Sequence, residues 1–317
     1  MLAFVFPGQG SQAVGMGADL AEAFPEARRT FQEADDVLGF ALSRLCFAGP
    51  EQELQLTATA QPALLAASIA AWRALTSQGI SCEMVAGHSL GEYSALVAAG
   101  ALSFGDALLL VRKRGLYMQE AVPVGRGAMA AVMGLDREVL EELCREAVAS
   151  RENPPDGAGS VVWPANLNAP GQIVISGHTG AVDKVIALAQ ARGARRAVKL
   201  VVSAPFHCEL MRPAATRLSV DLASTRFNDL SVPLVTNVSA EPIRSGEEAR
   251  RCLALQVTAP VRWEESVRTL ARMGATRALE VGPGRVLMGL IKRIEPGIVC
   301  SAAGDAGSVS SAKEHLS

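Results

Sequence analysis

The sequence predicts an α/β fold in two parts: a large domain on a mainly parallel sheet (1–124 and 201–317) and a small subdomain set into it (125–200). Three observations support this. Short apolar runs at 2–6 and 84–86 each lead through a glycine-containing turn toward a segment of helical spacing. That alternation yields parallel strands covered on both faces. Residues 125–200 change the rhythm to strand–helix–strand–strand–helix–strand, the order of a ferredoxin-like unit. Finally, 317 residues fit two domains or one large domain with an insertion, enough to bury about 75% of the unfolded surface without disulfide or metal staples.

Taken in order, 2–6 is a buried strand ending at Pro7-Gly8. Helical spacing covers 17–38 and 61–78, with Pro62 near the start of the second. A strand at 84–86 precedes a helix at 92–99 closed by Gly100. Ser103-Phe104-Gly105-Asp106 reads as a capping box opening a helix to about 121. In the subdomain, 125–134 is strand-like, 136–150 a helix, 151–160 a loop and 161–166 a strand. A turn at Ala169-Pro170-Gly171 leads to a strand at 172–176, a helix at 180–192 and a strand at 197–202. Beyond about Ser301 the chain is small and polar, and fraying is expected.

Composition excludes several classes of function. Hydrophobic residues are 49% and charged residues 20%, so a packed core is affordable in sequence terms and disorder is not expected. A net charge of −2 provides no basic field for nucleic acid or anionic lipid. Aromatic content of 4% leaves few stacking platforms for single strands. No run of 18 apolar residues exists, and the first residues carry no basic signal-peptide region, so no membrane association is expected. The six cysteines (46, 82, 144, 208, 252, 300) contain no C-x-x-C, and only four histidines (88, 178, 207, 315) are present. Neither a metal site nor a disulfide framework is expected, and the compartment reads as reducing, hence cytoplasmic.

Chemistry concentrates at Gly87-His88-Ser89-Leu90-Gly91, a G-x-S-x-G pattern with a strand before it and a helix after it. Small neighbours allow the strained turn that exposes a nucleophilic Ser89, and the following helix points its first amides at the site. The alternative is a glycine-rich turn with an inert surface serine. A serine needs a base. His207 follows an apolar strand and reads as opening a helix, whose N-terminus would keep the imidazole neutral; a capping or packing role is the alternative. His88 faces away within the elbow, His178 lies in a turn, His315 lies in the tail, and Cys208 lacks an elbow of its own. The order serine then histidine is that of α/β-hydrolases, so the large domain is expected to be hydrolase-like. On a helical wheel, Arg114 falls within the stripe of Ala107, Leu110, Val111 and Met118. A buried guanidinium requires an anion, either a ligand's or a protein carboxylate's. Gly8-Gln9-Gly10-Ser11-Gln12-Ala13 fits a loose dinucleotide fingerprint, but no acidic residue ends a second strand about 20 residues later.

Five blocks occur in register: Phe6-Pro7-Gly8-Gln9-Gly10-Ser11-Gln12, Gly87-His88-Ser89-Leu90-Gly91-Glu92, Arg114-Gly115 with Met118-Gln119, Ala204-Pro205-Phe206-His207, and Glu280-Val281-Gly282-Pro283-Gly284. Over roughly 2–300 the chain thereby resembles the malonyl-CoA:acyl carrier protein transacylase family, which includes the acyltransferase domains of polyketide synthases. The resemblance implies catalysis by Ser89 and His207, an oxyanion hole from the amides of Gln9 and Leu90, and a malonyl carboxylate on Arg114. It further implies that the Gln256 carbonyl orients His207, that Asn166 and Asn168 line the cleft, and that Phe206 suits malonyl over methyl-branched substrates. A carbonyl in place of an acid gives a weaker base, suited to passing an acyl group to a thiol. The implied partners are malonyl-CoA and acyl carrier protein, met by a monomer that needs no cofactor or metal and binds neither nucleic acid nor membrane. Lys184, Arg192, Arg195 and Arg196 are candidate contacts for an acidic carrier, or else a solvated helix end.

Overall fold

A computed structural model describes residues 1–149, 160–202 and 204–316 of the chain. The loop expected at 151–160 lies, except for Ser160, outside the described residues, as do the helix end at Ser150 and the side chain of His315. Among the described residues, ten strands form two sheets: β1 (Leu2–Phe6), β2 (Met84–Gly87), β3 (Gly127–Met133), β4 (Val162–Ala169), β5 (Gln172–His178), β6 (Arg196–Lys199), β7 (Leu234–Val235), β8 (Pro242–Ile243), β9 (Arg277–Val281) and β10 (Val299–Ala303). The larger runs β10-β9-β1-β2-β7-β8, parallel except between β7 and β8. The smaller runs β4-β5-β3-β6 and is antiparallel throughout.

The apolar runs form central strands because both their faces are covered. Along β1, Phe4 and Phe6 join one core with the helices Thr57–Ser77 and Gly91–Ala98, while Ala3 and Val5 join a second with Trp263, Leu287 and Ile291. Period-two alternation along a strand divides its side chains between two layers of helices. The small sheet has its own core, in which Ala130, Val132, Ile173 and Ile175 meet Leu140, Leu143, Val182 and Val185 of the helices Arg137–Ala149 and Thr179–Ala191.

Several expectations are corrected. The segment 17–38 is two helices, Ala18–Ala23 and Pro25–Leu38, because Pro25 holds Phe24 in the extended region (φ −122°, ψ 119°). The next long helix begins at Thr57, so Pro62 lies within it rather than near its start. Two short helices, Leu42–Ala48 and Glu51–Gln55, occupy a stretch with no assigned element. The last strand of the small sheet ends at Lys199, three residues early. The tail is ordered: β10 pairs with β9, and the helix Ala306–Ser310 follows a reciprocal cap between Asp305 and Ser308. Asp19 accepts a further bond from Ala306 N at 2.7 Å, and Val309 and Ala312 reach the main core. By contrast, Ser103 caps the helix Phe104–Glu120 at its expected start, accepting from Asp106 N at 3.0 Å. Among the described residues no helix is long and apolar enough to cross a membrane.

Candidate active site

The site forms where β1 and β2 end side by side, Phe6 opposite Gly87. Chain direction reverses between Gly87 and Gly91 with no room to spare. A Cβ on Gly87 would lie 2.0 Å from the Gly91 carbonyl, and one on Gly91 would lie 2.0 Å from Phe6 O. Both glycines of the pattern are therefore imposed by backbone sterics. Ser89 adopts φ +51°, a left-handed conformation that a non-glycine residue holds only when its surroundings enforce it. Asn237 supplies that enforcement: its Oδ1 accepts from Ser89 N at 2.7 Å and its Nδ2 donates to Gly87 O at 2.6 Å.

Ser89 Oγ lies 2.7 Å from His207 Nε2, and His207 Nδ1 lies 2.9 Å from the main-chain oxygen of Gln256. The carbonyl can only accept, so the ring proton sits on Nδ1 and Nε2 is free to take the serine proton. His207 does not open a helix. It occupies a left-handed turn (φ +59°), followed by a short 3-10 turn at Glu209–Met211 and a helix from Arg212. Its neutrality has another cause: burial, followed by the nearby Arg114 charge, lowers its pKa to about 3. Cys208 is no rival nucleophile, since burial raises its thiol pKa and its Sγ points at Pro205 O.

Arg114 reaches the same serine. It is 3% exposed; Nη2 donates to Ser89 Oγ and to Gln256 Oε1, each at 3.0 Å, and Nη1 donates to Gln61 Oε1 at 2.8 Å. Tyr93 presents its ring 5.7 Å from the guanidinium carbon. No protein carboxylate pairs directly with Arg114 among the described residues. Gly115 brings Gln61 within reach, because a Cβ there would lie 2.7 Å from Thr57 O on the facing helix.

These groups share a cavity of about 940 Å³ with Gln9, Leu90, Asn166 and Phe206. The amides of Gln9 and Leu90 have no acceptor among the described residues; the Gln9 side chain is turned to Thr57 Oγ1 at 3.2 Å. Asn166 is 7% exposed beside a backbone bridge to Val261. Asn168 does not line the cavity: its Oδ1 meets, at 2.9 Å, Nε2 of His88, which does line it although it was expected to face away. Nor do Lys184, Arg192, Arg195 and Arg196, which belong to the small sheet's outer helix and edge. Glu280, from the last recurring block, accepts from Leu287 N and Met288 N and so caps a helix away from the cavity.

Sequence reasoning missed four polar residues here: Gln61, Glu92, Asn237 and the side chain of Gln256, all buried. Gln61 left a signal, as the one polar residue within 60–67. Glu92 Oε2 accepts from Gln256 Nε2 at 2.8 Å and from Asn237 N at 3.1 Å, and burial raises its pKa to about 7.

The acyl transferase domain family matches residues 3–302. The chain is 48% identical over 313 residues to the malonyl CoA-acyl carrier protein transacylase of Escherichia coli K12, covering 98% of each chain. With the enzyme of that name from Bacillus subtilis strain 168 it shares 47% identity over 315 residues, covering 99% of this chain and 97% of the relative. A malonyl-transacylase solved in complex with a type II polyketide acyl-carrier protein superposes with TM-score 0.94 at 47% identity, covering 99% of each chain. The Coxiella burnetii transacylase superposes with TM-score 0.94 at 42% identity, covering 99% of this chain and 97% of that one. The family match and the identity along nearly the whole chain settle its kinship: it belongs to the acyl transferase family, among the malonyl-CoA:acyl carrier protein transacylases.

Proposed function

We propose that the protein transfers a malonyl group from malonyl-CoA to the phosphopantetheine thiol of acyl carrier protein, by a ping-pong route through a malonyl ester of Ser89. The observation that carries this is one oxygen, Ser89 Oγ, lying 2.7 Å from His207 Nε2 and 3.0 Å from Arg114 Nη2. His207 takes the serine proton as Oγ attacks the thioester carbonyl, and the oxyanion rests on the amides of Gln9 and Leu90. Collapse expels CoA thiolate, which leaves with the proton from His207. The acyl carboxylate pairs with Arg114 while the ester waits. His207 then deprotonates the carrier's thiol, the thiolate attacks the ester, and Ser89 recovers its proton. A thioester is exchanged for a thioester, so the balance requires neither metal nor redox cofactor.

Asn166 and Phe206 shape the acyl end of the cavity. The basic residues Lys184, Arg192, Arg195 and Arg196 offer contacts to an acidic carrier. We read 125–200 as a ferredoxin-like insertion in a hydrolase-like domain formed by 1–124 and 201–317; its strand–helix–strand–strand–helix–strand order supports this reading. We place the protein in the cytoplasm as a monomer, a setting that suits its six free thiols.

Intact-mass measurement tests the reaction. Malonyl-CoA without acceptor adds one malonyl group to the wild type and none to Ser89→Ala, and added carrier protein removes it. Steady hydrolysis without an accumulated ester would instead make the protein a thioesterase.

A further inference from the structure

Arg114 is buried, yet its hydrogen bonds end on three neutral acceptors. The nearest carboxylate in the network stands one residue further back. Glu92 is 1% exposed, and its Oε2 accepts from Gln256 Nε2 at 2.8 Å and Asn237 N at 3.1 Å. Gln256 Nε2 also donates to Ser89 O at 3.0 Å and faces Asn237 Oδ1 at 3.3 Å. The nitrogen of this amide therefore looks at three oxygens, and its oxygen looks at Arg114 Nη2. Rotated by half a turn, the amide would set oxygen against three oxygens and NH2 against a guanidinium. Both ends fix this orientation, and at the far end Glu92 supplies the shortest contact and, among the described residues, the only ionisable acceptor.

We propose that Glu92 is a positioning residue for malonyl selection, holding the Gln256 amide with its oxygen toward Arg114 and so keeping the guanidinium aimed at the space beside Ser89. This rests on the malonyl reading above. Gln256 serves the site through two separate groups: its main-chain oxygen holds His207, and its side chain holds Arg114. Of these two groups Glu92 touches the side chain, and its other bond, from Asn237 N, leads to the elbow; a loss through the elbow falls on both substrates alike, so the malonyl-to-acetyl ratio isolates recognition of the acyl carboxylate.

The test is the rate of Ser89 acylation from malonyl-CoA and from acetyl-CoA, resolved into kcat and KM. Glu92→Ala should lower the malonyl-to-acetyl ratio of kcat/KM about tenfold or more, the size of one hydrogen bond to a charged group, mainly through KM for malonyl-CoA. Glu92→Gln, which retains an acceptor oxygen facing Gln256, should restore most of the ratio. In an Arg114→Ala background, Glu92→Ala should change the ratio no further. Equal loss toward both substrates, or a further loss without Arg114, would overturn the proposal. If Glu92→Ala does not fold, Gln256→Met carries the test, because it deletes the amide and retains the main-chain oxygen; a wild-type ratio there overturns the proposal. A wild type that forms no malonyl ester would instead defeat the functional reading.

Discussion

Replacing Arg114 by alanine gives two readouts from one side chain. The first is selectivity. A malonyl carboxylate on this guanidinium would form charge-assisted bonds worth about 1.5–3 kcal/mol each, two of them where the planar fork exchanges the Ser89 hydroxyl for the carboxylate. Their loss should lower kcat/KM for malonyl-CoA by about 3 kcal/mol or more, at least roughly a hundredfold. Acetyl-CoA carries no carboxylate and loses only the contribution of the 3.0 Å bond from Nη2 to Ser89 Oγ, so preference shifts toward acetyl. The second readout is pH dependence. Burial holds the His207 pKa near 3, with the Arg114 charge as the next cause. Without that charge the imidazole moves up toward its ordinary 6.5, so the acid limb of kcat/KM, measured with acetyl-CoA, moves to higher pH in the variant. Acylation rates for both thioesters between pH 3 and 8 give both answers. An unchanged malonyl preference would refute the carboxylate clamp, and an unmoved acid limb would refute the coupling of Arg114 to the base.

Gly87→Ala should destabilise the fold by at least about 3 kcal/mol or prevent folding, since its Cβ has only 2.0 Å to the Gly91 carbonyl and backbone cannot yield; a thermal melt reads this. Glu92→Gln should alter stability in a pH-dependent way. Burial raises Glu92 from 4.5 to about 7, so between those values the unfolded chain releases a proton that the folded one keeps, and wild-type stability falls as pH rises. The variant cannot ionise there, so its stability relative to wild type should rise across that window and level off above it; a constant difference in melts would contradict this. Asp305→Ala removes the cap on Ser308 N at 2.7 Å and should cost about 1 kcal/mol, read as faster amide exchange over 306–310.

The elbow was legible because its constraint is local: glycines four residues apart are required by two chain segments that nearly touch. Arg114 was legible for a similar reason, since helical periodicity alone puts it on an apolar stripe. Its partners were not. Gln61 arrives from the helix Thr57–Ser77 and Gln256 from the helix Gly246–Gln256, and no short-range pattern records that these ends meet. His207 was expected to be neutral through a helix N-terminus, but its neutrality comes from burial and a cation, both properties of the assembled site. The tail misled for a different reason. Small polar residues resemble a frayed end, yet Asp305 and Ser308 are a reciprocal cap, and Val309 and Ala312 reach the main core. Strands β7 and β8, two residues each, are too short to leave any periodic signal.

In the proposed mechanism the neutral acceptors around Arg114 let a buried cation serve recognition. Had a protein carboxylate paired with it directly, an incoming malonyl carboxylate would have to displace that partner and strand a buried anion. Amide oxygens orient the guanidinium without cancelling its charge, and the Tyr93 ring adds weak stabilisation at 5.7 Å. The protein's own groups therefore leave a demand for an anion unmet, seen also in Arg114 Nε, which is buried without a partner among the described residues. Because Nη2 already touches Ser89 Oγ, that demand is expressed within one acyl chain's length of the nucleophile. A substrate that answers it must carry its negative charge a fixed short distance beyond the carbonyl under attack, which a malonyl thioester does and an acetyl thioester does not.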